Sequence, residues 1–238
     1  MQARQELTGK RIFINIFKVI GFIILSSLPI TFSFFMNAAQ EFTPTPVRWG
    51  LAIAWILFTG FLIRWMWRYY LRLYPDSMPK MRAKDIWIAI GLFVFLRIVA
   101  VGGTLLNEAV YGNVMTSNDE LIFAEGSIAV IPIYFFIFNL TLGIFAPILE
   151  ELAFRGIFTH LLFRENAVVL PAIIISAIFS LMHGMDNIIT FSMYFIMGLT
   201  FFFAYRRRMA IKDAIWLHIL NNSLAMIMSI VLYVLEWF

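Results

Sequence analysis

Two adjacent carboxylates, Glu150 and Glu151, and an arginine shortly after them, Arg155, stand inside an apolar run. No Asp, Glu, Lys or Arg occurs from 128 to 149 or between Arg155 and Arg164. Ionisable groups at membrane depth are expensive and persist where they pair or act. Successive residues on a helix point ~100° apart, so Glu150 and Glu151 face different ways. Glu151 and Arg155 have i,i+4 spacing, acid before base, which suits an ion pair on one helix face. Glu150 is left without a local partner, as a general base or acid would be. The bland reading, in which the carboxylates only pair for helix packing, fits Glu151 better than Glu150.

The chain has three histidines. His183 ends Phe179–Ser180–Leu181–Met182–His183, where i,i+4 spacing lets the Phe179 ring pack under the imidazole. His218 and Asn222 are also i,i+4 and offer an imidazole and a carboxamide from one face. A lone membrane histidine is more often a helix–helix hydrogen bond. Two on different helices, with a carboxylate on a third, suggest that Glu150, His183 and His218 share a site. His160, ten residues after Glu150 and off its face, reads as structural.

The elements that position these groups follow from composition. Of 238 residues, 62% are hydrophobic and only 13% charged, with a mean hydropathy of +0.87. A soluble domain is about a quarter charged, and several windows exceed the ~18 apolar residues that mark a spanning helix. Continuous apolar runs exclude an alternating barrel pattern. The expected fold is all-α, a polytopic transmembrane helical bundle of about seven spans, with eight as the alternative. The absence of cysteine excludes disulfides, thiolate metal sites and a Cys nucleophile. The net charge of +4 is positional and gives no nucleic-acid signal.

Spans are expected near 12–36, 49–67, 86–106, 168–183, 188–205 and 214–235, plus a long apolar segment, 128–163, broken by Pro132 and Pro147. As one straight helix those 36 residues would run ~54 Å, against ~30 Å of hydrocarbon. The segment must therefore tilt and kink, or be two elements. The first apolar stretch is longer than the ~7–15 residues of a signal-peptide core and reads as a retained span. The stretch 107–126 reads as a loop bearing Glu108, Asp119, Glu120 and Glu125. Lys and Arg gather at Arg4–Lys18, at Arg64–Lys84, at Arg155 and Arg164, and at Arg206–Lys212; the opposite loops carry only Arg48. By the positive-inside rule the N-terminus is cytoplasmic. Arg97, alone in mid-span, is expected to snorkel or pair. Arg206–Arg207–Arg208 reads as a topology anchor with access to anionic lipid. Along their helices Glu150 and His183 lie ~20 and ~22 Å from the same turn, with His218 shallower.

Three motifs thus stand in order: Glu-Glu-x-x-x-Arg at 150–155, Phe-x-x-x-His at 179–183 and His-x-x-x-Asn at 218–222. With Pro147, Phe154–Arg155–Gly156 and Asn221–Asn222 around them, residues 140–225 resemble the CPBP family of CAAX proteases and bacteriocin-processing enzymes, also called Abi. The resemblance implies a membrane-embedded cavity open to the cytoplasm. In it Glu150 and His183 would activate a water, His218 and Asn222 would bind the oxyanion, and Glu151, Arg155 and Phe179 would support them. It divides the chain into N-terminal spans, 1–127, and a catalytic core, 128–238, within one integral-membrane unit. Both a zinc mechanism, with Glu150, His183 and His218 as ligands, and a metal-free one are implied by the family. Asn222, a poor zinc ligand, favours the latter. The substrate implied is a small hydrophobic, membrane-associated or lipidated peptide or protein. The short chain resembles the prokaryotic type, linked to bacteriocin, immunity and pheromone processing. Two readings compete: a non-catalytic scaffold or immunity protein acting through a membrane-protein partner, and a proton-coupled transporter, which the lack of an inverted repeat disfavours. His-Glu-x-x-His and Gly-x-Ser-x-Gly are both absent.

Overall fold

The computed structural model describes residues 9–75, 79–128, 131–184 and 186–237. Arg4, residues 129–130 of the long apolar segment, the side chain of Glu125 and Met185 lie outside them. The described residues form helices α1 (Gly9–Ala38), α2 (Thr45–Leu73), α3 (Ala83–Tyr111), α4 (Ser117–Ile128), α5 (Pro132–Leu162), α6 (Val169–Met182), α7 (Ile188–Arg208) and α8 (Ile211–Trp237). No strand occurs among them.

Six helices, α1, α2, α3, α5, α7 and α8, are long and apolar enough to cross a membrane. Over the expected span at 168–183, α6 has 14 residues, ~21 Å, shorter than a ~30 Å core, and is an apolar helix beside the six long ones. The expected loop over 107–126 is mostly helix. Gly112, at φ 74°, ends α3 in the left-handed conformation, which glycine adopts without a Cβ penalty. Thr116 then accepts the Asp119 amide at 3.1 Å and starts α4, with Asp119 and Glu120 in the first turn, where the helix dipole favours acids.

Polar contacts tie the ends together and fix the order. At one end the Asn15 amide donates to the Leu161 carbonyl at 2.8 Å, and Arg206 donates to the Glu165 carbonyl. Arg207 and Arg208, at the end of α7, both bind Asp85 at the start of α3 and Asp213 at the start of α8. Those two arginines are therefore held by carboxylates, not left free for lipid. At the other end Asn187, before α7, donates to Asn107 near the end of α3 at 2.7 Å. Asp186 accepts the Ser117 amide at 2.9 Å. The helices alternate in direction, and the Lys- and Arg-rich segments collect at one end.

The centre of the bundle is α5, which packs against α1, α2, α6, α7 and α8. It is one helical stretch from Pro132, not two spans. Pro132 opens it, where a missing N–H costs nothing. Pro147 sits inside it, and a proline ring clashes with the carbonyl four residues back. The helix widens into a π turn over Thr141–Phe145, with the Ala146 amide bonding the Thr141 carbonyl, five residues away. A second π segment, Leu152–Phe158, follows the glutamates. In lipid, apolar burial does little to join helices, so close packing at small residues carries more of the association. Gly156 meets Tyr70 of α2, and Gly198 of α7 meets Ser176 of α6, each closely enough that a Cβ would collide.

Candidate active site

Glu150 and Glu151 are the last residues of the α-helical turn between the two π segments. Glu151 is fully buried, and its Oε1 accepts from Arg155 Nη1 at 3.1 Å. Arg155, also fully buried, donates through Nη2 to the Gly198 carbonyl at 2.9 Å. Its guanidinium lies 4.6 Å from the Phe179 ring centroid and 5.4 Å from that of Phe201. A planar, weakly hydrated cation suits such an aromatic box. The expected Glu151–Arg155 pair is therefore present, and it joins α5 to α7.

The same Glu151 oxygen binds His218 Nδ1 at 2.8 Å. Carboxylates accept, so Nδ1 donates and Nε2 points onward. His218, in the second turn of α8, is 3% exposed and stacks on Phe201 at 4.3 Å. His183 caps the C-terminus of α6. Its Nδ1 is 2.8 Å from the Phe179 carbonyl, so Nδ1 donates there and Nε2 is left with its lone pair. The imidazole is held between Phe179, at 4.2 Å, and Tyr194, at 5.0 Å.

Glu150 points where both histidines point. Its Oε2 is 4.0 Å from His183 Nε2 and 3.9 Å from His218 Nε2, with 23% of its side chain exposed. Oε2 makes no hydrogen bond within the protein. Three helices thus bring Glu150, His183 and His218 to one point. Asn222, one turn beyond His218, donates to the Leu142 carbonyl in the first π turn at 3.2 Å and accepts from Asn221 at 3.1 Å. The π turn therefore orients the Asn222 carboxamide.

Several contributors went unread in the sequence. Phe201 lies under His218, Gly198 supplies a carbonyl to Arg155, and Tyr194 packs on His183. The Tyr194 hydroxyl is fixed by Thr116 at 3.1 Å and Asn118 at 3.4 Å, so α4 braces the histidine. An aromatic in a span has many bland uses, and only the i,i+4 partner Phe179 had a local signal. Arg97 pairs with Asn221. His160 is structural, its Nε2 2.6 Å from the Tyr205 hydroxyl and its ring stacked on Tyr74 at 4.6 Å.

Among the described residues no group of three or more acids and histidines is spaced to hold a metal ion. Two ligands of one tetrahedral zinc, with bonds of ~2.0–2.1 Å, lie about 3.4 Å apart. Glu150 Oε2 is farther than that from both imidazoles, so the set expected for zinc does not fit it as arranged. A groove along α2, lined by Gly60, Ile63, Arg64, Trp67, Arg68 and Leu71, touches none of the site residues.

Residues 132–224 match a family model described as type II CAAX prenyl endopeptidase Rce1-like. That segment, less than half of the chain, is similar to the Rce1-like family. The match runs from the first residue of α5 past Asn222, and so covers Glu150, His183, His218, Phe179, Tyr194 and Phe201, while Thr116 and Asn118, which hold Tyr194, lie before it. Rce1-like proteins are a protease family, and the six apolar helices make this an integral membrane protein. No curated protein and no solved structure matches the chain.

Proposed function

We propose that the protein is an intramembrane endopeptidase that hydrolyses a small hydrophobic, membrane-associated or lipidated peptide by a metal-free, glutamate-activated water. The observation that carries this reading is the convergence of Glu150 Oε2 on His183 Nε2 and His218 Nε2 at 4.0 and 3.9 Å. That spacing is too long for direct hydrogen bonds and suits one water shared among the three groups. Glu150 takes the proton as the water attacks the carbonyl carbon. His183, locked by the Phe179 carbonyl, accepts the water's other hydrogen and orients its lone pair. His218 acts when it carries both ring protons, with Glu151 as counter-charge, and donates from Nε2 to the developing oxyanion. Asn222 adds a second donor through the amide hydrogen not used by Leu142. Donors held in place before the reaction are worth most where charge develops. Proton return from Glu150 to the leaving amine completes the cleavage.

We assign the catalytic core to 128–238 and place the Lys- and Arg-rich end, with the N-terminus, in the cytoplasm of a prokaryotic cell. The test is Glu150→Gln, which keeps the shape and removes the base. With the protein in lipid vesicles and fluorogenic hydrophobic peptides, farnesylated and plain, kcat falls by about 10³-fold, in the range of general base catalysis. Cleavage at the wild-type rate by Glu150→Gln sinks the reading.

A further inference from the structure

The groove along α2 belongs to no part of the site described above. It is lined by Gly60, Ile63, Arg64, Trp67, Arg68 and Leu71 and has a volume of about 480 Å³. These positions recur at i,i+3 and i,i+4 spacing, so they form one stripe of the helix. At Gly60 the stripe has no side chain, and a Cβ there would meet nothing within 4 Å. Ile63, Trp67 and Leu71 are half-buried, whereas Arg64 and Arg68 are exposed. Neither arginine has an ion pair or hydrogen bond among the described residues. By contrast, Arg155, Arg206, Arg207 and Arg208 each bind a protein acceptor.

The depth of the stripe decides what fills it. α2 has 29 residues, ~43 Å, so a helix centred in a ~30 Å core overshoots it by ~7 Å at each end. Arg64 precedes the last residue, Leu73, by nine positions, which puts its Cα ~7 Å inside the core. Arg68, one turn on, stands at the core edge. The stem of Arg64 then runs along the groove while its head reaches headgroup level. Trp67 lies between them, at the depth of an interfacial aromatic. Gly60 is ~6 Å deeper than Arg64, among the lipid tails. The groove is therefore cationic at headgroup level and apolar below it. An anionic phospholipid has the matching layout, whereas a zwitterionic one brings its own cation and leaves the two guanidiniums uncompensated. On the other side of α2, Met66 and Tyr70 are fully buried. Tyr70 meets Gly156, the residue after Arg155. A lipid on the outer face thus bears on a helix that backs the candidate site.

We propose that Arg64 and Arg68 bind the phosphate of a single anionic phospholipid whose acyl chain lies over Gly60 and Ile63, and that this lipid holds α2 against α5. The experiment adds phosphatidylglycerol, or phosphatidylcholine as the zwitterionic comparison, to the full chain in detergent. Native mass spectrometry counts the lipid retained, and thermal unfolding reads the hold on α2. The wild type retains one phosphatidylglycerol, favoured by roughly tenfold to thirtyfold over phosphatidylcholine, the scale of two arginines near a charged surface. Saturating phosphatidylglycerol raises its Tm by about 5–10 °C. Arg64→Gln with Arg68→Gln loses both effects. Gly60→Leu loses them too with every charge kept, because its side chain occupies the open space of the groove. Arg72→Gln with Lys80→Gln removes two charges from the same end, outside the groove, and keeps both effects. Equal retention of the two lipids by the wild type overturns the proposal. So does retention that survives Gly60→Leu, or that falls as far with Arg72→Gln and Lys80→Gln, since either makes the arginines a general surface charge. Displacement of the lipid by an equal concentration of soluble glycerol 3-phosphate assigns them to free phosphate and also overturns it. A retained lipid that leaves Tm unchanged rejects the hold on α2.

Discussion

At the scale of residues, one oxygen does two things: Glu151 Oε1 receives both Arg155 and His218. The three groups therefore depend on each other for charge as well as position. Arg155→Met leaves the Glu151 charge buried and short of its cation, and truncating one member of such a buried pair costs about 3–5 kcal/mol. The double variant Glu151→Gln with Arg155→Met removes both charges. It recovers much of the lost stability in thermal unfolding in detergent, and it stays inactive on the fluorogenic peptide because His218 has lost its counter-charge. Recovery of activity together with stability would show Glu151 to be a packing device only. The pair was legible from i,i+4 spacing alone. The His218 contact was not, because it joins residues 67 apart and nothing local in the chain records that distance.

At the scale of elements, the site depends on how closely α6 and α7 approach. A Cβ on Gly198 would stand 2.9 Å from Ser176 Cβ and 3.0 Å from its Cα. One of those atoms is backbone, so the helices would have to separate. Gly198→Ala is expected to cost about 1–3 kcal/mol, as overpacking does, measured by thermal unfolding. It also lowers peptidase activity, because the Gly198 carbonyl that holds Arg155 moves. Ser176→Gly added to Gly198→Ala returns part of both losses. An unchanged Tm in Gly198→Ala would contradict the packing described. The helices themselves were readable from hydropathy, since spans announce themselves by length. The shortness of α6 was readable too, since its apolar run ends at Met182, where the helix ends. The helical character of α4 was written in Thr116 and the acids after it. It was hidden by their polarity, which resembles a loop.

At the scale of the whole molecule, the alternation of helix direction makes a prediction that needs no substrate. The chain has no cysteine, so single-cysteine variants label without background. Lys80→Cys and Lys212→Cys lie at the end where the basic segments collect. Glu41→Cys and Glu108→Cys lie at the opposite end, and all four positions are exposed. In sealed, oriented vesicles an impermeant maleimide reacts with one pair and spares the other until the membrane is opened. Protection of Lys80→Cys together with Glu108→Cys would break the topology. The long segment at 128–163 was the ambiguous part of the sequence because length alone allowed one helix or two. The unbroken helix from Pro132 to Leu162, with two wide turns inside it, decides for one.

Those wide turns also bear on how this chain can change. Each π turn holds one more residue than an α turn would, and one residue of helix is a rotation of ~100°. The faces of α5 before Thr141, between Phe145 and Leu152, and after Phe158 are therefore phased separately. Side-chain substitutions along α5 leave that phasing alone. A single deletion inside Thr141–Phe145 would let the turn close to an ordinary one with Glu150 still in phase with the helix preceding it, whereas closing the turn with all its residues kept would swing Glu150 by ~100°. Within this helix the extra residue and the wide turn belong together, and what turns the site is the loss of one without the other.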